Sequence, residues 1–189
     1  MKAITSGLIA AVIAATCASA SAQWAKEPNT FFGVPLGQPI DVRSIPACDT
    51  GSTLADTQIA VCARRFTDGL VVLGGFPLPQ ITKGYASLWD GKVSLMNVKM
   101  EHADYGALRD MLIERYGKPT KTEARTVQNR MGVKFSNERV TWDGQHVRLR
   151  LIERDDRVDS SAIIIEHKAT FAAEVSDMQK QKAAGSEKF

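Results

Sequence analysis

Three Asp-Gly dipeptides constrain this chain more than any other feature: Asp68-Gly69, Asp90-Gly91 and Asp143-Gly144. Asp-Gly suits the positive φ angles of a tight turn, and each pair is flanked by β-type residues, so each predicts a hairpin. The first joins 59–66 to 70–74, the second 85–89 to 92–100, and the third 139–142 to 145–153. In the last arm Val147, Leu149 and Leu151 alternate with Arg148 and Arg150, the period of a strand with one buried and one charged face. After the polar turn at 155–157, residues 162–166 (AIIIE) read as a further strand.

Two segments read as helices. Over 104–116, Tyr105, Leu108, Met111, Leu112 and Tyr116 fall on one face at helical spacing. Asp104 is placed to cap the start, and Gly117 with Pro119 to stop the end. The second helix spans 171–182, with Phe171, Val175 and Met178 on one side. Leu88-Trp89-Asp90-Gly91-Lys92 is echoed by Thr141-Trp142-Asp143-Gly144-Gln145. Each copy leads on to a Glu-His pair, Glu101-His102 and Glu166-His167, and then to a helix. The expected fold is α+β: an antiparallel sheet of hairpins with two helices on one face and a candidate ββα pseudo-repeat.

The first 22 residues read as a secretory signal peptide. Lys2 gives a positive start, residues 8–15 (LIAAVIAA) a short apolar core, and Ala20-Ser21-Ala22 a small-x-small cleavage site. Thr16 fits poorly before a lipidated Cys17, so ordinary cleavage after Ala22 is favoured. Residues 23–182 are then expected as one α+β domain and 183–189 as a flexible tail. The destination is the periplasm, or secretion. There Cys48 and Cys62 are expected to pair, closing a loop of about 15 residues worth about 3 kcal/mol. Between 23 and 58, prolines at 28, 35, 39 and 46 break any long helix, so that segment is expected to pack on the core as irregular chain.

Composition narrows function by exclusion. Apolar residues make up 44% and charged residues 24%, with a net charge of +3. That excludes coiled-coil and wholly disordered chains, and it is not basic enough for a nucleic-acid binder. No apolar run reaches the roughly 20 residues of a spanning helix. No template for chemistry emerges either. Gly51-Ser52-Thr53 lacks the strand–turn–helix setting of a nucleophile elbow, and Leu73-Gly74-Gly75-Phe76-Pro77 lacks the lysine of a phosphate loop. Glu101, His102 and Asp104 would suit zinc only if His167 met them in space; a polar strand end leading into a helix cap is the simpler reading. No catalytic, cofactor-binding or metal-ligating residue is therefore assigned. The expected partner contacts are Phe76 and Leu78 in an apolar loop, and Arg148 and Arg150 on the charged strand face.

The combination of signal peptide, Cys pair, Phe32-Gly33-Val34-Pro35-Leu36-Gly37 opening and Arg115-Tyr116-Gly117-Lys118-Pro119 helix stop resembles small exported proteins of Gram-negative bacteria. The opening and the helix stop are similar to those of the BamE-like (SmpA/OmlA) lipoproteins of outer-membrane assembly. The doubled hairpin–helix order is similar in outline to the tandem-repeat β-lactamase inhibitor proteins. With no catalytic constellation in the sequence, the favoured reading is a periplasmic, non-catalytic binding or interaction protein whose partner is another protein or an envelope component. The alternatives are an envelope-assembly accessory protein and a metal-dependent hydrolase.

Overall fold

The computed structural model describes residues 24, 26–48, 59–67 and 69–186. The leader and its cleavage site, Cys17, Gly51-Ser52-Thr53 and residues 187–189 lie outside them. Near the start, β1 (Thr30–Phe31) and β2 (Val34–Pro35) form a minimal hairpin. It buries Phe31, Val34 and Leu36, the apolar opening that was expected to pack as irregular chain.

The hairpins expected at the first two Asp-Gly sites form, with Asp68 of the first lying outside the described residues. Gly69, at φ 78°, separates β3 (Cys62–Thr67) from β4 (Leu70–Gly74). Asp90 and Gly91, at φ 50° and 68°, join β5 (Ile81–Trp89) to β6 (Lys92–Glu101). α1 (Tyr105–Tyr116) follows, and then β7 (Lys121–Gln128), a strand the sequence did not reveal. The third turn differs from expectation. Asp143 lies inside β8 (Lys134–Asp143), and a longer loop leads to β9 (Val147–Ile152). That loop is shaped from outside itself, because the Glu27 carboxylate accepts the N–H groups of Gln145 at 2.8 Å and His146 at 2.6 Å, and that of Val147. β10 (Ser160–His167) runs directly into α2 (Lys168–Ser186), so the helix continues through 183–186, where a flexible tail was expected.

The eight long strands form one antiparallel sheet in the order β3-β4-β5-β6-β10-β9-β8-β7. It consists of two four-stranded meanders, each followed by a helix and joined through β6 and β10. The hairpin-plus-helix unit is thus corrected to four strands plus helix. The Trp-Asp-Gly echo does not mark equivalent places: Trp89 ends the third strand of its meander, Trp142 the second. The Glu-His pairs do stand alike, each at the end of a fourth strand.

Strand register sorts the side chains into two faces. Met96, Ile165, Leu149 and Trp142 are cross-strand neighbours on one face, all 0% exposed. α1 closes this face with Tyr105, Leu108, Leu112 and Tyr116. The Trp142 indole donates to the Gly117 carbonyl at 2.7 Å, and the Trp24 indole to the Tyr116 carbonyl at 2.9 Å. α2 packs on the other face, where Trp89 donates to Asp177 at 3.1 Å and Ser94 to Glu174. The expectation that both helices share one face is therefore corrected. The apolar stripe of α1 belongs to the core, whereas α2 buries only Thr170 and leaves Met178 51% exposed. Asp104 also differs from expectation. It sits in a 3₁₀ turn at φ −91°, ψ −1°, and its side chain makes no capping hydrogen bond.

Cys48 and Cys62 are joined by a disulfide, with Cα atoms 4.9 Å apart. Beside it, Ala63 donates to Pro46 and accepts from Cys48, so the clasp is both covalent and hydrogen-bonded.

Candidate functional site

The second face of the sheet concentrates the charge. Successive strands place Leu95, Glu166, Arg148 and Asp143 in one row, and Tyr85, Asn97, Ile164, Arg150 and Thr141 in the next. Lys83, Lys99, Ala162, Ile152 and Arg139 form a third. The two arginines expected to contact a partner are there, fixed by neighbours. The Glu166 side chain is 5% exposed and takes Arg148 at 3.1 Å and Arg150 at 2.7 Å. Asp143 then takes Arg148 at 3.1 Å and Lys168 at 2.7 Å. Burial alone would raise the Asp143 pKa, but these two cations outweigh it and hold the carboxyl below its usual range.

Lys99 is the deepest cation of the face, 7% exposed. Burial works against its charge, but hydrogen bonds to Asp155 and to Asp156, the latter at 2.7 Å, raise its pKa overall. Asp156 adopts φ 60°, an uncommon conformation for a side-chain-bearing residue, which turns its carboxylate to Lys99. A cavity of about 440 Å³ lies beside this pair, lined among others by Lys83, Lys99, Asp156 and Arg157.

Next to Lys99, Asn97 donates its amide to the Tyr85 hydroxyl at 2.9 Å. Its own Oδ1 has no partner, although the residue is 8% exposed. Arg139 Nε and Arg150 Nε are buried and unpartnered too, and register puts both on this same face. A buried polar atom without a partner carries a desolvation cost of about 1–3 kcal/mol, and native folds leave few. Here three gather on one face, around the half-exposed side chains of Tyr85, Ile164 and Arg150. Neither Asn97 nor Tyr85 stood out in the sequence. Both fall in an ordinary alternating strand, and only cross-strand register sets them beside Arg150.

Phe76 and Leu78, expected as partner contacts, are half-buried. Phe76 packs edge-on against Phe32 with ring centroids 5.3 Å apart, over Gly84, where a Cβ would come 2.5 Å from its ring. Leu78 is half-buried against the same core. His102 and His167, the pair that a metal site would need to bring together, do not converge. His102 bonds Glu153 at 3.1 Å, while His167 bonds Thr170 at 2.7 Å at the far end of β10, about 23 Å along the strand. His146 lies in the loop before β9, off the Arg148–Arg150 stripe. With His167 and Glu27 it lines a cleft of about 320 Å³, where burial first and then His146 lower the His167 pKa. Among the described residues no three His, Cys, Asp or Glu side chains gather as a metal set, and no helix is long and apolar enough to cross a membrane.

No family model matches this sequence, and no curated protein or solved structure matches it.

Proposed function

We propose that this is an exported, non-catalytic binding protein whose second sheet face receives a polar, anionic partner from the cell envelope. The observation that carries the reading is the set of three unpartnered buried atoms, Asn97 Oδ1, Arg139 Nε and Arg150 Nε, on that face. A ligand bearing hydrogen-bond donors and acceptors that shifts the half-exposed Tyr85 and Arg150 side chains gives these atoms partners, recovering the cost of leaving them dry. Lys83 and Arg157 at the neighbouring cavity supply attraction for negative charge. The charged groups between them, Lys99 and Glu166, are each held by two counter-ions, which suits fixed recognition better than proton transfer. Export is supported by the leader pattern and by a disulfide that requires an oxidising compartment.

A photoreactive phenylalanine analogue at Tyr85, in cells expressing the full chain, tests both parts. The expected result is a chain beginning at Gln23 in the periplasmic fraction, with a covalent adduct that Lys83→Glu weakens. The same analogue at Met111, on the outer surface of α1, serves as control. An identical adduct from Met111, no adduct from Tyr85, or an uncleaved cytoplasmic chain overturns the reading.

A further inference from the structure

β7 is the outermost strand of its half, and among the described residues it pairs with β8 alone. The Asn129 N–H donates to the Val133 carbonyl at 3.0 Å, while the Glu138 carbonyl of β8 is turned the other way and accepts from Glu153, just past the end of β9. Odd-numbered residues of β7 therefore direct their amides at β8. Thr122, Ala124 and Thr126 direct theirs outward. All three are exposed, and the strand contains no proline and no register shift over eight residues. Proteins usually blunt such an edge with charged side chains, a bulge, a proline, a short strand or a cover; of these β7 carries only the charges of Lys121, Glu123 and Arg125, which alternate in sign and so can pair with a second copy.

We propose that β7 is the interface between two copies of this chain, paired antiparallel about a two-fold axis at Ala124, so that their sheets join edge to edge. The register follows from symmetry and charge. In a two-fold pair, outward-turned residues must meet outward-turned residues. Centring on Ala124 sets it opposite its own copy, Thr122 opposite Thr126, and Glu123 opposite Arg125. Moving the centre one residue either way sets Glu123 against Glu123, or Arg125 against Arg125, which is repulsive. In the favoured register the two Glu123–Arg125 pairs occupy the narrow, non-hydrogen-bonded positions where side chains approach closest. In one chain Glu123 already lies 3.2 Å from Lys121 and 3.3 Å from Arg125 on the same side. Those exposed pairs are individually weak, so exchanging one for an intermolecular partner costs little.

The same register accounts for exposed apolar groups that the monomer leaves without cover. Met131 is 84% and Val133 49% exposed at the β7–β8 tip. Symmetry sets residue 131 level with Gly117 of the second copy, at the joint between α1 and β7. Ile113, 36% exposed, lies four residues before that joint. Each tip thus meets apolar surface on the other copy, while main-chain hydrogen bonds form along the strands between them.

Sedimentation velocity of the purified chain over a concentration series tests the proposal. A concentration-dependent monomer–dimer equilibrium is expected. Arg125→Glu should raise the dimer dissociation constant about tenfold or more, and adding Glu123→Arg should restore it. Ala124→Pro should abolish the dimer yet keep the monomer's circular dichroism and melting transition, since the lost N–H has no partner among the described residues of one chain. Under mild oxidation Ala124→Cys should form a covalent dimer, and Thr126→Cys should not. A single monomeric species up to the solubility limit overturns the proposal, as does a dimer indifferent to both Arg125→Glu and Ala124→Pro. None of these variants alters Tyr85, Asn97 or Lys83, so this proposal and the binding face fail or stand separately.

Discussion

The two halves of the sheet share a topology and end differently. In the first, the outer strand β3 shifts register between Ala63 and Arg65, is bridged by Ala47, and is tied down by Cys48–Cys62. In the second, the outer strand β7 has no register shift, is exposed and pairs, among the described residues, with β8 alone. One meander is sealed by covalent and local devices; the other depends on the core beneath its inner strands. Four antiparallel strands alone therefore do not decide how an edge behaves. The segment laid across it does, and among the described residues only the first half has one.

The largest test of this contrast is Trp142→Ala. The side chain is 0% exposed, and its indole ties β8 to the end of α1. Truncation should cost about 3–5 kcal/mol by chemical denaturation. Hydrogen exchange should rise first in β7 and β8, with β3 and β4 protected. Equal loosening of both halves would show that the second does not rest on this anchor.

The disulfide comes next. Cys48→Ser/Cys62→Ser should lower stability by about 3 kcal/mol and loosen β3 while leaving β7 unchanged. Intact mass with and without reductant, followed by exchange, reads both effects. Two freely alkylated thiols in unreduced protein would remove the first half's seal altogether.

The smallest effect belongs to Glu153, beside β9 in the second half. Burial would raise its pKa, but the Glu138 N–H at 2.7 Å, His102 at 3.1 Å and Arg154 at 3.7 Å outweigh burial and lower it. A carboxyl with a depressed folded-state pKa stabilises above its unfolded pKa and loses that contribution as pH falls through the folded value. Glu153→Gln should therefore cost about 1.5 kcal/mol at neutral pH. The gap from wild type should close as the solution is acidified below the ordinary carboxylate range. A constant gap across that window would mean that the charge of Glu153 contributes nothing.

The candidate site was only half legible. Arg148 and Arg150 showed themselves because charge alternated with Val147, Leu149 and Leu151 along one strand. Asn97, Tyr85 and Lys99 did not, because a polar residue in a strand reads as solvent-facing until its neighbours are known. Phe76 and Leu78 show the opposite difficulty: an apolar loop reads the same in sequence whether it is free or folded over Gly84. β7 was missed because an edge strand exposed on both faces has no hydrophobic period to detect.

What the sequence determined by itself were features set within a few residues. Asp90-Gly91 dictates its turn, Gly117 ends α1 at φ 83°, and the expected helix stripe is buried at Tyr105, Leu108, Leu112 and Tyr116, though Met111, read on the same face, is 40% exposed. Only the tertiary structure decided what depends on distant partners. Glu27 reshapes the loop after Asp143 from more than a hundred positions away, and β6 pairs with β10 to join the meanders. The helices take opposite faces because α1 carries an apolar stripe suited to the core while α2 anchors to Trp89 and Ser94 on the charged side. Local geometry is fixed by backbone sterics and spacing, which a sequence displays directly. Long-range pairing is fixed by burial and by which polar groups find one another, and those exist only once the chain has closed on itself.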